Sequence, residues 1–310
     1  MKIRPYHPDD YRDILEISKH IWEGNDYLPK LINEFHNSPY CKPYVVEEDG
    51  RVVSIVNMNM YSSDFAWLEA MRTHPDYRNR GIATKLNQFL LQEAKINSIK
   101  EVWLSTSQAN EATSKMLLNT GFEEITLLKL WHNIKDNEHD LEKNNGLVEG
   151  ILKNLTYLSS KLTDSIIKLE KSWRPAKDKE EIRNLLNKKD SDGQNFIYLV
   201  NEFNIFPLDS YFVDSWIKKS FIFINDSTDS IMTFKPAAEK ENSYIVGIYD
   251  FDKDIIISAL SFAYNRVKQQ SLNNEIFNSE IDIKLFYPFI VDLKLLDSSW
   301  IFRIMRKEIL

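Results

Sequence analysis

In this 310-residue chain the residues best suited to chemistry are Arg78-Asn79-Arg80-Gly81-Ile82-Ala83. They follow a strand-like run ending near Thr73 and a turn forced open by Pro75, and they lead into a helical pattern. The first amides of a helix have no intrahelical partner and point one way. The helix dipole favours an anion there by about 0.3–1 kcal/mol per charge. Gly81 has no Cβ, so a phosphate can approach the main chain. Arg78, Arg80 and Lys85 add positive charge to a chain whose formal charge is −7. Together these features describe a pyrophosphate seat built on the amides of residues 78–84, Thr84 included. A dinucleotide fold would need Gly-x-Gly-x-x-Gly after the first strand, and a P-loop would need Gly-Lys-Ser/Thr; neither pattern occurs.

The elements that must position this loop can be read from periodicity. Residues 3–5 form a short strand, and Pro8, Asp9 and Asp10 open a helix carrying Tyr11, Ile14, Leu15, Ser18, Ile21 and Trp22 at helical spacing. Gly24 to Pro29 breaks it, and a second short helix covers 30–36. Tyr44-Val45-Val46 and Arg51 to Met60 flank Glu48-Asp49-Gly50 as a hairpin. A strand over 64–73, a helix over 81–95 and a strand over 101–105 follow. A helix from Asn110 to Thr120 is capped by Asn110 and stopped by Gly121, and a strand covers 125–131. The order β-α-α-β-β-β-α-β-α-β implies a mixed-sheet α/β (α+β) domain with one right-handed crossover, spanning residues 1–132.

Residues 133–171 read as a polar linker and an amphipathic helix over 150–171. Residues 172–310 read as a second α/β domain. Trp173-Arg174-Pro175 followed by Glu180 to Leu186 echoes Ile3-Arg4-Pro5 followed by Asp10 to Leu15. Strands at 195–203, 220–225, 230–235, 243–249 and 281–287, with a helix near 255–269, repeat the first plan without its glycine loop. This pattern predicts either a degenerate duplication or a chance match of a short Arg-Pro start.

The stretch Arg78-x-x-Gly81-x-Ala83 resembles the acetyl-CoA signature of the GNAT superfamily of N-acetyltransferases. His74-Pro75-Asp76-Tyr77 resembles that family's lead-in, and Asn110-x-x-Thr113 with Gly121-Phe122 its later helix. The resemblance covers roughly residues 2–132 and implies the GNAT acyl-CoA N-acyltransferase fold, with a second degenerate GNAT-like half. It implies that the strand 67–73 splays from its neighbour 101–105, with pantetheine in the gap. Met71, Arg72 and Thr73 would grip pantetheine, the 78–84 loop the pyrophosphate, and Asn110 would complete the cofactor site. A Met71 amide would polarise the thioester.

Glu69 stands at even spacing from Met71 and Thr73, so the three share a face of a regular strand. It is either the general base for an attacking amine or a solvated strand carboxylate. The family's tyrosine acid falls at Leu117, so none carries over. Gly24-Asn25-Asp26-Tyr27-Leu28-Pro29 resembles a segment of histidine N-acetyltransferase-like members. Asp26 and Tyr27 would pair with and stack on an amine, or would form a helix-breaking turn with Tyr27 in the core. The implied activity is acetyl transfer from acetyl-CoA to a small-molecule primary amine. The rivals are an acetyl-CoA sensor and an enzyme acting on protein N-termini or lysines.

Other signals set bounds. The pI near 5.5 argues against a nucleic-acid partner. The six histidines lack ligand spacing along the chain, so no metal is expected. Cys41 is the sole cysteine, which excludes an internal disulfide and suits a reduced, cytoplasmic compartment. No signal peptide or membrane span is expected. Oligomeric state is not encoded in any motif.

Overall fold

The computed structural model describes residues 1–132, 162–189, 198–201, 204–236, 243–250, 252–273, 282–287 and 300–309. The expected linker and the first part of the long amphipathic helix lie outside these. No helix among the described residues is long and apolar enough to cross a membrane. The chain divides into two compact units, Met1–Ile125 with Arg303–Leu310, and Thr126–Phe302.

Unit 1 begins with β1 (Lys2–Pro5), α1 (Tyr11–Ser18) and α2 (Leu28–Asn37). The helix α2 starts two residues earlier than its periodicity implies, because Pro29 falls in the first turn, where its missing N–H costs nothing. Then come β2 (Cys41–Glu48), β3 (Arg51–Met60) and β4 (Phe65–Thr73). The β2–β3 turn places Asp49 at φ 51° and Gly50 at φ 75°, the two left-handed residues of a tight hairpin. The unit continues with α3 (Ile82–Ile96), β5 (Glu101–Ser107) and α4 (Glu111–Asn119). Its sheet runs β1-β2-β3-β4-β5, antiparallel except for the parallel β4–β5 pair on either side of α3.

Two cores sandwich this sheet. On one face Ile82, Leu86, Leu90 and Ala94 of α3 pack with Leu117 of α4 against Val56, Met58, Ala66 and Leu68. Each such leucine contributes roughly 1.5–3 kcal/mol. On the other face Ile14, Ile17, Leu28 and Ile32 of α1 and α2 pack on Val45, Val52, Ile55 and Ala70.

The boundary expected at residue 132 is displaced at both ends of the chain. A strand, β14 (Trp300–Glu308), follows β5 in the sheet order and precedes β6 (Glu123–His132). Within unit 1, Arg306 bonds Glu123 through Nε at 2.8 Å, Arg303 pairs with Glu124, and Ile309 N donates to Lys100 O at 2.8 Å. The N-terminal unit is therefore completed by the C-terminal strand.

Unit 2 holds α5 (Asp164–Glu170), β7 (Trp173–Pro175), α6 (Lys179–Lys189), the hairpin β8 (Tyr198–Asn201) and β9 (Asn204–Pro207), and α7 (Val213–Lys218). β10 (Ile222–Asn225), β11 (Ser230–Pro236), β12 (Ser243–Tyr249), α8 (Lys253–Asn273) and β13 (Asp282–Tyr287) follow. Its sheet runs β7-β10-β11-β12-β13, antiparallel except for the parallel β12–β13 pair around α8, the same plan as β1 to β5.

The repeat extends to side chains. Arg4 holds Asp10 through Nη1 at 2.7 Å and Glu47 through Nε at 2.7 Å, and Asp10 accepts the His7 amide at 2.8 Å. Arg174 holds Glu181 through Nη2 at 2.6 Å and Asp226 through Nε at 2.8 Å, and Glu181 accepts the Lys177 amide at 2.8 Å.

Candidate active site

The β4–β5 register ends at Leu68↔Leu104. From Glu69 to Thr73, β4 keeps β3 as its sheet partner, with Glu69 opposite Asn57 and Thr73 opposite Ser54. The expected opening is present but starts at Glu69 rather than at Trp67. Its cause is local. Ile55 faces Arg72 and Asn57 faces Glu69, so Val56 opposes both Ala70 and Met71. That extra residue is a β-bulge, and Ala70 takes φ 56° to make it.

The bulge corrects the expected shared face. Ala70 belongs to the α1–α2 core and Met71 packs on the α3–α4 core. Glu69 lies with Asn57 and Asn59 on the α1–α2 side, so Glu69 and Met71 point to opposite faces. Arg72 instead joins Glu69, and both act electrostatically on Tyr27. In a regular strand these two residues, three apart, would be divided between faces.

Glu69 is held by two amides. Asn57 Nδ2 donates to its Oε1 at 3.3 Å, and Asn59 Nδ2 donates to the same oxygen. Asn57 Nδ2 also reaches Asn59 Oδ1 at 3.0 Å, where Cys41 Sγ donates at 2.7 Å. Burial pushes the Cys41 thiol pKa up, which keeps it a hydrogen-bond donor and not a nucleophile. Asn57 and Asn59 are buried polar side chains that strand periodicity alone does not mark as functional. The alternation Asn57-Met58-Asn59 in an otherwise apolar strand is the signal that could have found them.

Asp26 is engaged within the protein. Its side chain is fully buried. It accepts from Arg72 Nε and Nη2, both at 3.2 Å, from Ser18 Oγ at 3.1 Å and from the Leu28 amide at 3.3 Å. The expected pairing with a substrate cation is corrected in this structure: Asp26 pairs with Arg72. The Arg72 side chain likewise faces Asp26 and not a cofactor. Burial works against the Arg72 charge, but Tyr27 and Asp26 outweigh it and hold its pKa above the ordinary value. Breaking a buried pair of this kind costs about 3–5 kcal/mol.

The Arg72 guanidinium also lies over the rings of Trp22, at 5.0 Å, and Tyr27, at 5.4 Å. Trp22, expected on the apolar stripe of the first helix, lies beyond the end of α1 and is 57% exposed. It opens a run of three left-handed residues, Trp22, Glu23 and Gly24, at φ 43°, 57° and 87°. Burial raises the Tyr27 hydroxyl pKa, and Glu69 adds to the effect, so the phenol stays protonated.

At the other end of β4 the loop has the expected form. Asn79 (φ 61°) and Gly81 (φ 75°) are both left-handed, and a Cβ on Gly81 would meet nothing within 4 Å. Gly81 is the N-cap of α3 and supplies no side-chain bond to the first amides, those of Ile82, Ala83 and Thr84. Arg78 Nε braces the loop on Thr73 O at 3.1 Å, and Arg80 Nη2 on Asp76 O at 2.7 Å. The Thr73 hydroxyl shares a bond with Ser54 Oγ at 3.0 Å. Asn110 caps α4, its Oδ1 accepting from Thr113 N at 3.2 Å. Leu117 is buried in the core, so α4 presents no phenol at that position.

The corresponding helix start in unit 2 is closed. Asp252 Oδ1 accepts the amides of Asp254 at 2.8 Å and Ile255 at 3.2 Å. A carboxylate already fills the place an anionic ligand would take.

Residues 9–122 match the Acetyltransferase (GNAT) family. A histidine N-acetyltransferase of Xenopus tropicalis is 29% identical over 87 residues, 28% of this chain and 27% of that relative's length. Among solved structures, a putative acetyltransferase from Thermoplasma acidophilum superposes with TM-score 0.58 at 13% identity, covering 99% of this chain and all of that one. A GCN5-related N-acetyltransferase from Kribbella flavida superposes with TM-score 0.52 at 12% identity, over 99% of this chain and 72% of that one. These likenesses establish the GNAT fold.

Proposed function

With residues 9–122 a GNAT-family acetyltransferase domain, we propose that the chain moves an acetyl group from acetyl-CoA to the primary amine of a small molecule, by direct attack in a ternary complex. The observation that carries this reading is the opening of β4 from β5. It lies between an α3 terminus with no side-chain cap and a carboxylate, Glu69, held by two buried amides.

In this reading the amides of 82–84 seat the pyrophosphate, and Arg78, Asn79 and Arg80 shape the loop around it. Main-chain groups of Met71 and Thr73, on the β4 edge that β5 has left, pair with the pantetheine arm. Glu69 takes a proton from the acceptor ammonium, directly or through a water. The neutral nitrogen attacks the thioester carbon, the C–S bond breaks, and the second proton that the nitrogen sheds passes through solvent to the leaving thiolate. The oxygen Asn57 Oδ1, buried with no partner among the described residues, suits an incoming N–H. Trp22 and Tyr27, held by Arg72, form the aromatic wall of the acceptor pocket.

Unit 2 is read as a degenerate GNAT-like half. The repeated strand order and the paired Arg4 and Arg174 clasps support descent from one plan, and the Asp252 cap occupies the helix start where a second anion would otherwise bind.

The test is mass spectrometry of products after incubating the full chain with acetyl-CoA and a panel of free amines, amino acids included. One acetylated amine formed per thiol released is the expected result. Coenzyme A binding with no small amine acetylated would overturn the transfer reading in favour of a sensor. Acetylation of peptides alone would move the acceptor to proteins.

A further inference from the structure

The six histidines show no ligand spacing along the chain, yet the fold gathers two of them with a carboxylate. Glu16 on α1, His20 just beyond its end and His74 before the 3-10 turn Pro75–Tyr77 place one donor atom each within 4.8 Å of one another. The rings of His20 and His74 meet edge to face, with centroids 5.3 Å apart. The geometry points to a site for a first-row transition-metal dication of the zinc type, held by Glu16, His20 and His74.

Two imidazoles and a carboxylate favour such an ion over magnesium or calcium, which prefer all-oxygen shells. Three protein ligands with an open fourth position for water are a usual zinc arrangement. Bonds of about 2.0–2.1 Å need the donors somewhat closer than they stand. Glu16, in the last turn of α1, and His20, just past it, are both exposed, so both can turn inward. Glu16 currently pairs with Lys19 at 2.5 Å, with both side chains more than half exposed, and such a surface pair is weakly held.

His74 comes with a second shell. Its Nδ1 accepts the Asp76 amide at 3.3 Å, and the Asp76 carboxylate lies 3.8 Å from the same nitrogen. Coordination through Nε2 requires the ring proton to move to Nδ1, where the Asp76 carboxylate would replace the Asp76 amide as its partner, the usual support of a metal-bound histidine. A bound ion ties the end of α1, from which the Trp22–Gly24 loop departs, to the turn that leads into Arg78–Ala83.

This site is independent of the acetyl-transfer reading, and its test uses no turnover. Zinc is titrated calorimetrically into the full chain, and cobalt is added separately to read its visible absorption. One equivalent bound at micromolar concentration, with ligand-field bands of four-coordinate cobalt, is the expected result. His20→Ala, His74→Ala and Glu16→Gln should each weaken zinc by tenfold or more, whereas His36→Ala should not. No saturable zinc binding below about 1 mM overturns the site, as does binding that survives both His20→Ala and His74→Ala. Cobalt bands unchanged in Glu16→Gln and His74→Ala overturn it as well, and this readout needs only chain that remains folded by circular dichroism.

Discussion

Glu69→Gln separates charge from shape at the candidate base. Glu69 uses one oxygen, Oε1, to accept from both Asn57 and Asn59. A glutamine keeps an oxygen there and can keep both bonds. What changes is the strength of each, from about 1.5–3 kcal/mol for a charged acceptor to about 0.5–1.5 for a neutral one. The fold should therefore lose about 2–3 kcal/mol over the two bonds, towards the lower end because Glu69 is half-buried. A general base contributes about 10²–10⁴-fold, or roughly 2.7–5.5 kcal/mol of barrier. Thiol release with the acceptor found in the amine panel should fall at least a hundredfold, coenzyme A affinity should stay within about twofold, and the acidic limb of the kcat/KM profile should flatten. Turnover within threefold of the parent would refute the base assignment. A loss of turnover matched by an equal loss of coenzyme A affinity would show that Glu69 supports the cofactor instead.

Gly81→Val places a branched side chain at φ 75°, at a cost of about 1–2 kcal/mol to the fold. It should weaken coenzyme A at least a hundredfold by calorimetry, and an unchanged Kd would move the phosphate seat elsewhere. Wild-type titration should show one coenzyme A per chain. Asp252→Ala should keep that stoichiometry and cost about 0.5–2 kcal/mol of unit 2 stability by loss of a helix cap; a second equivalent in the wild type would contradict the closed helix start. Burial works to raise the Asp10 carboxyl, but Arg4 and the His7 amide outweigh it and hold its pKa below the ordinary value. Arg174 does the same for Glu181. A depressed carboxyl stabilises above its unfolded pKa, so both contributions should be present above about pH 4.5 and fade as the pH falls through the lower folded values. Asp10→Asn should cost about 1.5–3 kcal/mol at pH 7 and flatten the acid limb of urea stability against pH; parallel limbs for mutant and parent would refute the linkage.

Much of this architecture can be read from residue order. The Asp49-Gly50 turn, the helix after Gly81, the Asn110 cap and the Arg-Pro start of each unit all act within a few residues of themselves, so local chemistry encodes them. The bulge at Ala70 does not announce itself, because alanine is a poor left-handed residue and is held there by the register of β3. Parity arguments past that point fail, and the face expected to be shared by Glu69, Met71 and Thr73 is divided for that reason. Asp26 could be recognised as important, but its partner is 46 residues away, and only the fold shows that the pair is internal. The place of Trp22 beside Arg72 is invisible for the same reason, as is the convergence of Glu16 and His20 with His74, whereas the alternation Asn57-Met58-Asn59 is legible in the strand.

The strand β14 has a consequence for how this protein is made. Ile125 and Arg303 belong to one unit, yet roughly 180 residues separate them. At about 5–20 residues per second a ribosome needs roughly 10–35 s to cover that interval. Throughout it, the nascent chain exposes the sheet edge of β5 that β14 will later cover. Vectorial synthesis thus cannot finish the first unit first. The second unit is free to fold while the first still waits for its last strand, an order that leaves the early half with an unpaired sheet edge until the end of synthesis and sensitive to any premature stop.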